Sequence, residues 1–193
     1  MAAKKVEGRR PRAGGGKGSR SQALDARLRR IRLLLCDVDG VLTDGAVWMG
    51  NGVETKRYNI RDGLGLKMLQ HHGVKVGWVS RRPSSATQQR AKDLGIEFLT
   101  QSDSGKVAAV ESILQKAGCD WAEVCYVGDD IVDAGVLKRA GVAVVVADGV
   151  AEAKAAADCV TKAAGGHGAV REVAEMILKA QHKWDGLLAE YAA

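Results

Sequence analysis

The sequence predicts an α/β fold: a Rossmann-like, doubly wound parallel sheet with a β-hairpin inserted after its first strand. Short, largely apolar runs alternate with longer amphipathic stretches, which is the pattern of strands and crossover helices. Runs with so few polar residues are typical of strands that are buried on both faces of a parallel sheet. The length of 193 residues favours one domain, expected at 30–193, behind a basic N-terminal extension at 1–29.

Each element can be assigned in chain order. The predicted strands are four apolar runs at 31–36, 74–79, 124–127 and 142–146. The predicted helices are the amphipathic stretches at 63–72, 84–94, 106–117, 131–140 and 169–188. Residues 46–58 break the alternation, because AVWMGNGVETKRY reads as two short strand-like runs around a Gly-Asn-Gly turn. That segment predicts the hairpin.

The positive charge is concentrated at the N-terminus. Residues 1–32 carry eleven Lys and Arg against two acidic residues, although the formal net charge of the whole chain is only +6. Such a segment can contact nucleic acid or an acidic surface, or it can be a disordered, solvated extension. No aromatic residues interleave the charges, so the disordered extension is favoured and nucleic-acid binding is not expected.

Several classes of protein are disfavoured by what the sequence lacks. No apolar run approaches the length of a membrane span, and the N-terminus has no apolar secretory signal, so a cytoplasmic location without membrane contact is expected. The four cysteines form no C-x-x-C pair, and the four histidines show no metal-ligand spacing. The histidine and cysteine content therefore predicts neither a zinc site nor a disulfide framework.

Acidic and hydroxyl residues follow three of the predicted strands. Asp37 and Asp39 come after the first, Ser80 after the second, and Asp129 with Asp130 after the third. Ligands of open parallel sheets bind beyond the carboxyl ends of the strands, where these residues would meet. A single Asp after a strand usually caps a helix or forms a turn. Acidic or hydroxyl residues at the ends of three strands instead predict a functional site.

The segment DVDGVLTDG resembles the first motif of the haloacid dehalogenase superfamily, and the other motifs follow in order. The resemblance implies that Asp37 is the nucleophile and that Asp39 is the general acid and base. It further implies that Ser80 hydrogen-bonds the phosphoryl group and that Lys106 neutralises charge. Asp37, the backbone carbonyl of Asp39 and Asp129 would form the metal site, and an all-oxygen site suits Mg²⁺.

The resemblance extends further, to the 3-deoxy-D-manno-octulosonate 8-phosphate phosphatases, over about residues 30–183. It is carried by IRLLLCDVDGVLTDGAVWMGNG, YNIRDGLGLKML, LGIEFL, YVGDDIVD, VADG and AGGHGAVREV. Members of that family have no separate cap domain. Their hairpins pack together in a homotetramer in which a neighbouring subunit completes each active site. Trp48, Met49 and Val53 would then be interface contacts, unless the hairpin folds onto its own sheet.

A sugar acid phosphate is the substrate class that this resemblance implies. The substrate-binding residues carried over from the family are Asn59, Ile60, Arg61, Asp62, Gly63, Lys67, Arg82, Arg90 and Lys106. A carboxylate besides the phosphate explains the number of basic side chains. Lys67 and Arg90 are equally well explained as parts of solvated helix faces.

The chain departs from the family pattern in three places. It has SRRP after the second strand where T-G-R is usual, His167 in place of an Arg, and Lys67 in place of an Arg. These departures leave open a related nonulosonate 9-phosphate phosphatase. A non-catalytic tetramerisation module is a further alternative, which the intact Asp37 disfavours.

Overall fold

The computed structural model describes residues 17–103 and 105–192. Its main sheet has six strands, all parallel, in the order β5-β4-β1-β6-β7-β8. The strands of this sheet are β1 Leu33–Cys36, β4 Lys75–Ser80, β5 Phe98–Gln101, β6 Val124–Gly128, β7 Val142–Val145 and β8 Cys159–Val160. The predicted doubly wound α/β class is confirmed.

Helices cover both faces of this sheet. They are α1 Lys17–Leu28, α2 Ile60–His71, α3 Ser85–Leu94, α4 Lys106–Ala117, α5 Ala134–Leu137, α6 Ala151–Ala155, α7 Ala169–Ala180 and α8 Trp184–Ala192. Successive side chains of a strand point to opposite faces. Accordingly, Leu34 of β1 packs in the core beneath α2, α3 and α7, whereas Leu33 and Leu35 pack in the core beneath α4 and α5. None of the described helices combines the length and apolarity that a membrane span needs.

The hairpin also forms, as a separate two-stranded antiparallel sheet. Its strands are β2 Trp48–Gly50 and β3 Val53–Thr55. Asn51 and Gly52 between them both have positive φ, +50° and +75°, which is the backbone that an Asn-Gly hairpin turn requires. Trp48 and Met49 are 67% and 70% exposed. The predicted hairpin is therefore confirmed, and its apolar residues face away from the sheet of their own chain.

Several assignments of secondary structure need correction. Strands β5 and β8 were not expected, because β5 carries polar residues and β8 is a two-residue edge strand. The helix expected at 131–140 begins as a 3₁₀ turn and continues only as the four-residue α5. The helix expected at 169–188 is two helices, since His182 between α7 and α8 has a φ of +57°.

One helix, α1, precedes the predicted domain boundary at residue 30. Helix α1 lies within the expected extension, yet Leu28 is only 2% exposed in the core. The Arg27 guanidinium donates hydrogen bonds to the carbonyl of Gly141 and to Asp158. These contacts hold the end of α1 against the body. The rest of the expected disordered extension, residues 1–16, lies outside the described residues.

Candidate active site

A cleft of about 480 Å³ opens at the carboxyl ends of the strands. Its lining residues are Asp37, Asp39, Arg81, Arg82, Pro83, Asp103, Lys106, Asp129, Asp130 and Val132. From β1 the chain runs outward through β4 and β5, and β6 then returns to the other side of β1. The crevice at such a reversal of strand order is the usual ligand site of open α/β sheets. The cleft lies at the edge of the sheet where the sequence predicts a functional site.

A buried ion-pair triad lies at the floor of the cleft. The Nζ atom of Lys106 is 2.8 Å from Oδ2 of Asp37 and 2.7 Å from Oδ1 of Asp133. All three residues are at most 6% exposed. Burial by itself lowers the pKa of Lys106, but the charges of Asp37 and Asp133 outweigh it and the net pKa is raised. Lys106 is therefore a fixed cation beside Asp37.

Asp133 anchors this triad and is saturated with hydrogen bonds. Its Oδ1 accepts one from Lys106 and another, of 2.6 Å, from the hydroxyl of the fully buried Tyr126. Its Oδ2 accepts from the backbone N–H of Asp129 at 3.1 Å and of Asp130 at 3.4 Å. Asp133 was not identified from the sequence, although it lies four residues after Asp129 in GDDIVD. Its position suits a group that orients Lys106.

The carboxylates of Asp37 and Asp129 form an oxygen-rich pair that fits a divalent cation. Oxygen atoms of Asp37, Asp129 and Asp133 lie within 4.8 Å of one another, and Oδ1 of Asp129 is buried without a hydrogen-bond partner in the described residues. Burial, then repulsion from Asp37 and Asp133, raises the pKa of Asp129 to about 8. Burial likewise raises the pKa of Asp37 to about 6, against the opposing charge of Lys106. A hard cation between Asp37 and Asp129 would offset both effects.

Gly40 allows this close approach of two loops. Its φ is +89°, and a Cβ atom there would lie 2.1 Å from Oδ2 of Asp129. The glycine of the D-x-D-G motif is thus required both by its backbone conformation and by the space that Asp129 occupies. Gly165 approaches from the C-terminal side, where an added Cβ would lie 1.7 Å from the carbonyl oxygen of Gly40. The AGGHG segment is therefore part of the wall behind the loop that carries Asp37 and Gly40.

Asp39 is held by a lysine from the far end of the hairpin. The Lys56 side chain is fully buried, with Nζ 2.7 Å from Oδ1 of Asp39 and 3.6 Å from Oε1 of Glu54. The same Nζ donates a 3.4 Å hydrogen bond to Oγ1 of Thr87. Nothing in the sequence signals this pair, because the chain after β3 returns to Asp39 only in the folded protein.

Ser80 organises the loop after β4. It is 3% exposed, and its Oγ accepts a 3.0 Å hydrogen bond from the N–H of Arg82 and donates one of 3.1 Å to the carbonyl of Arg82. The Arg82 guanidinium in turn lies 2.5 Å from Oε2 of Glu54 on the hairpin. Ser80 therefore fixes the loop that carries Arg81 and Arg82 to the mouth of the cleft.

The other predicted substrate residues do not line the cleft in the described part of the chain. Asn59 caps α2 by accepting a 2.8 Å hydrogen bond from the N–H of Arg61, and its Nδ2 donates to the carbonyl of Gly166. Asp62 is 2% exposed and accepts a 2.7 Å hydrogen bond from the N–H of Arg171 in the first turn of α7. In this chain, Asn59 and Asp62 connect α2 to the C-terminal segment.

The remaining five lie along α2 and α3. Gly63 packs against Arg90, since a Cβ atom at Gly63 would lie 2.6 Å from the arginine Nη2. Ile60 and Arg61 are exposed at the start of α2. Lys67, seven residues after Ile60, is also exposed, and its Nζ lies beside Gly95 at the end of α3. Ile60, Arg61 and Lys67 are thus available at the surface, outside the cleft of their own chain.

Comparison with known proteins places this site in a family. Residues 95–173 match the family model of the haloacid dehalogenase-like hydrolases. The chain is 42% identical to the 3-deoxy-D-manno-octulosonate 8-phosphate phosphatase of Yersinia pestis over 161 residues, which is 83% of this chain and 86% of the relative. The enzyme of the same name from Escherichia coli K12 is equally similar, with 42% identity over the same shares.

A solved structure supports the same family assignment. The 3-deoxy-D-manno-octulosonate 8-phosphate phosphatase of Moraxella catarrhalis, in complex with magnesium, phosphate and KDO, superimposes with a TM-score of 0.85. The two chains are 36% identical, and the match covers 87% of this chain and 97% of the other. The chain therefore belongs to the 3-deoxy-D-manno-octulosonate 8-phosphate phosphatase family of the haloacid dehalogenase-like hydrolases, and it is a phosphatase of that family.

Proposed function

We propose that this protein is a Mg²⁺-dependent phosphomonoesterase that hydrolyses 3-deoxy-D-manno-octulosonate 8-phosphate to the free sugar acid and phosphate. The observation that carries the proposal is the buried Lys106–Asp37 pair beside the Asp129 oxygen that has no hydrogen-bond partner among the described residues. These groups lie in a chain that is 42% identical to phosphatases of that name. The intact triad argues against a non-catalytic module.

In the first step, a carboxylate oxygen of Asp37 attacks phosphorus while the bond from phosphorus to the sugar oxygen breaks. Asp39 donates a proton to the departing alkoxide, which leaves as the alcohol. The product on the protein is an acyl phosphate of Asp37. The N–H of Val38, 2.7 Å from Oδ1 of Asp37, and the ammonium of Lys106 hold the carboxylate in place for this attack.

In the second step, Asp39 is a carboxylate and takes a proton from water. The resulting hydroxide attacks phosphorus, the bond between phosphorus and the Asp37 oxygen breaks, and inorganic phosphate leaves with Asp37 regenerated. Lys106 and the loop that Ser80 organises hold the phosphoryl oxygens in both steps. Mg²⁺ bound by Asp37, the carbonyl of Asp39 and Asp129 would supply the positive charge that lets an anionic carboxylate approach an anionic phosphate.

Two arginines at the cleft mouth support a substrate with a second anionic group. Arg81 and Arg82 both line the cleft, and Arg81 is paired there with the exposed Asp103 at 2.6 Å. A sugar acid presents a carboxylate at the end remote from its phosphate, which a guanidinium can bind through two hydrogen bonds. The SRRP sequence, unusual for the family, thus lies where it can affect substrate choice. Because of this SRRP sequence, a nonulosonate 9-phosphate is the second candidate substrate.

A phosphate-release panel tests the proposed function and its metal. We expect release from the octulosonate 8-phosphate to exceed that from nonulosonate 9-phosphates and from simple hexose phosphates. EDTA should abolish it, Mg²⁺ should restore it, and Ca²⁺ should inhibit, because calcium takes more ligands and can bind Asp37 through both oxygens. Full activity in excess EDTA would contradict the metal requirement. Faster release from a nonulosonate 9-phosphate would show that the nine-carbon sugar acid phosphate, and not the octulosonate 8-phosphate, is the substrate.

Removing the Lys56 cation should impair the acid and base chemistry without unfolding the protein. We expect Lys56→Met to lower kcat/KM for the sugar acid phosphate by about a hundredfold, within the range of general acid catalysis. The loss should be smaller for p-nitrophenyl phosphate, since nitrophenolate leaves without a proton. Lys56→Arg is the charge-preserving control. Equal losses on both substrates would show that Lys56 acts on the loop in general and not on Asp39.

We further propose a homotetramer in which a neighbouring subunit completes each site. The exposed Trp48, Met49 and Val53 support it, as does the position of Ile60, Arg61 and Lys67 outside the cleft of their own chain. Such a partner would supply the cover that this open cleft lacks in one chain.

Charges on the hairpin should therefore separate the subunits. In the double variant Trp48→Asp, Met49→Asp we expect dissociation by light scattering, because unpaired charges are strongly disfavoured in an interface. The value of kcat/KM should fall further for the sugar acid phosphate than for p-nitrophenyl phosphate. Leu188→Asp, a charge at an exposed site on α8, is the control. A fully active monomer would rule the shared site out.

A further inference from the structure

A cluster of potential metal ligands lies at the opposite edge of the sheet from the cleft. His71 is the last residue of α2, and His72 follows it shortly before β4 begins, at the amino ends of the strands. Glu190 reaches the same point from α8. The mechanism uses none of the three, and the spacing of the histidines in the sequence gives no hint of them, because the third member comes from the C-terminal helix.

The three residues of this cluster lie close enough together to be ligands of one ion. Nε2 of His71 is 3.3 Å from Oε2 of Glu190, and one ligand atom from each of the three residues lies within 4.8 Å of the others. Two ligands bound at about 2.0–2.2 Å with tetrahedral angles are about 3.3–3.5 Å apart. A direct charge-assisted hydrogen bond is shorter, about 2.7–2.9 Å. The His71–Glu190 separation is therefore closer to that of two co-ligands.

The surroundings also favour a cation. Nε2 of His72 is buried and has no hydrogen-bond partner in the described part of the chain, so a ring nitrogen is left unsatisfied. Both histidines are at the C-terminal end of the twelve-residue α2, where the helix dipole stabilises positive charge. A cavity of about 240 Å³, lined by Met68, His71, Leu187, Glu190 and Tyr191, adjoins the cluster and leaves room for water as a fourth ligand.

We propose that His71, His72 and Glu190 form a second metal site, which binds a borderline divalent transition metal of the Zn²⁺ type. Two imidazoles and one carboxylate are a donor set that such ions prefer, whereas Mg²⁺ selects oxygen ligands only. The two metal sites therefore differ in ligand chemistry and lie at opposite edges of the sheet. The ion would join α8 to the end of α2, so its binding stabilises the docking of the C-terminal helix.

Titration of the full-length, untagged protein with Zn²⁺ in saturating Mg²⁺ tests this site. Mg²⁺ occupies the oxygen site in the cleft, and calorimetry then counts the additional equivalents of Zn²⁺. We expect one such equivalent, accompanied by a rise in Tm, since a ligand that binds only the folded state stabilises it. The affinity should fall at least about tenfold in His71→Gln and in Glu190→Gln. Both substitutions are at exposed positions and should leave the metal-free Tm unchanged.

Two control variants test whether the additional equivalent of Zn²⁺ binds at His71, His72 and Glu190. His182→Asn removes a histidine outside the cluster, at a positive φ that Asn tolerates, and Cys119→Ala removes a partly exposed thiol. The additional equivalent should persist in both. The proposal is overturned if no additional equivalent binds, or if the equivalent survives unchanged in His71→Gln and Glu190→Gln. Because Zn²⁺ binding is read without turnover, failure of this site is distinguishable from failure of the proposed phosphatase function.

Discussion

Replacing Asp37 with Asn should abolish phosphate release, by more than about a thousandfold, while the protein stays folded. The amide has nearly the same shape as the carboxylate, and its oxygen can still accept the hydrogen bond from the N–H of Val38. It has no anionic oxygen with which to attack phosphorus, so no acyl phosphate can form. The substitution also removes one of the two carboxylates that neutralise Lys106, but Asp133 remains.

Phosphate release and thermal melting of the purified variant check this prediction. Asp93→Asn, the same change at an exposed position of α3, is the matched control and should retain full activity. Mass spectrometry of quenched reactions should find a phosphorylated protein with the wild type and none with Asp37→Asn. A variant that keeps a tenth of the wild-type activity would remove Asp37 from the role of nucleophile.

Replacing Lys106 with Met should have the largest effect on stability. The lysine is 5% exposed and pairs with two buried carboxylates, so its loss leaves Asp37 and Asp133 facing each other without a cation. Breaking a buried ion pair by removing one partner costs about 3–5 kcal/mol. We expect the free energy of unfolding to fall by about that amount in EDTA, together with a loss of activity. Mg²⁺ should recover part of the stability but not the activity.

A double-mutant cycle separates the two effects of Lys106. Adding Asp133→Asn to Lys106→Met removes one of the unpaired charges, so denaturant unfolding should show a gain in stability over the single variant, with no gain in turnover. Lys116→Met, at an exposed position in the last turn of α4, is the control for losing a lysine from this helix. If Lys106→Met unfolds like the control, the triad does not hold the nucleophile loop.

Local patterns could predict much of the fold and the edge of the sheet at which the candidate site lies. The runs ending at Cys36 and Gly128 lack polar residues because both faces of their strands are covered by helices, and this sets the parallel sheet. The parallel sheet in turn brings Asp37 and Asp129, which follow those strands, to one edge. The Asn-Gly turn likewise predicted the hairpin from the backbone that its two residues favour.

Local sequence patterns could not predict the N-terminal helix or the weaker elements. Helix α1 carries the charge pattern of a solvated tail, yet Leu28 is buried because α7 packs beside it. Strand β5 has a mixed sequence and is a strand because β4 offers an unpaired edge at that point. The amphipathic pattern of 169–188 runs through the break between α7 and α8, so periodicity alone could not find it.

By itself, the sequence determined which carboxylates follow which strands, and therefore the edge of the sheet at which these carboxylates lie. Only the tertiary structure decided how those groups are held. Lys56 reaches Asp39 through the fold of the hairpin, Lys106 meets Asp133 across 27 residues, and Asp62 caps α7 from 109 residues away. Hydrogen bonds and ion pairs depend on separations of a few ångströms in space, which packing sets and the distance along the chain does not.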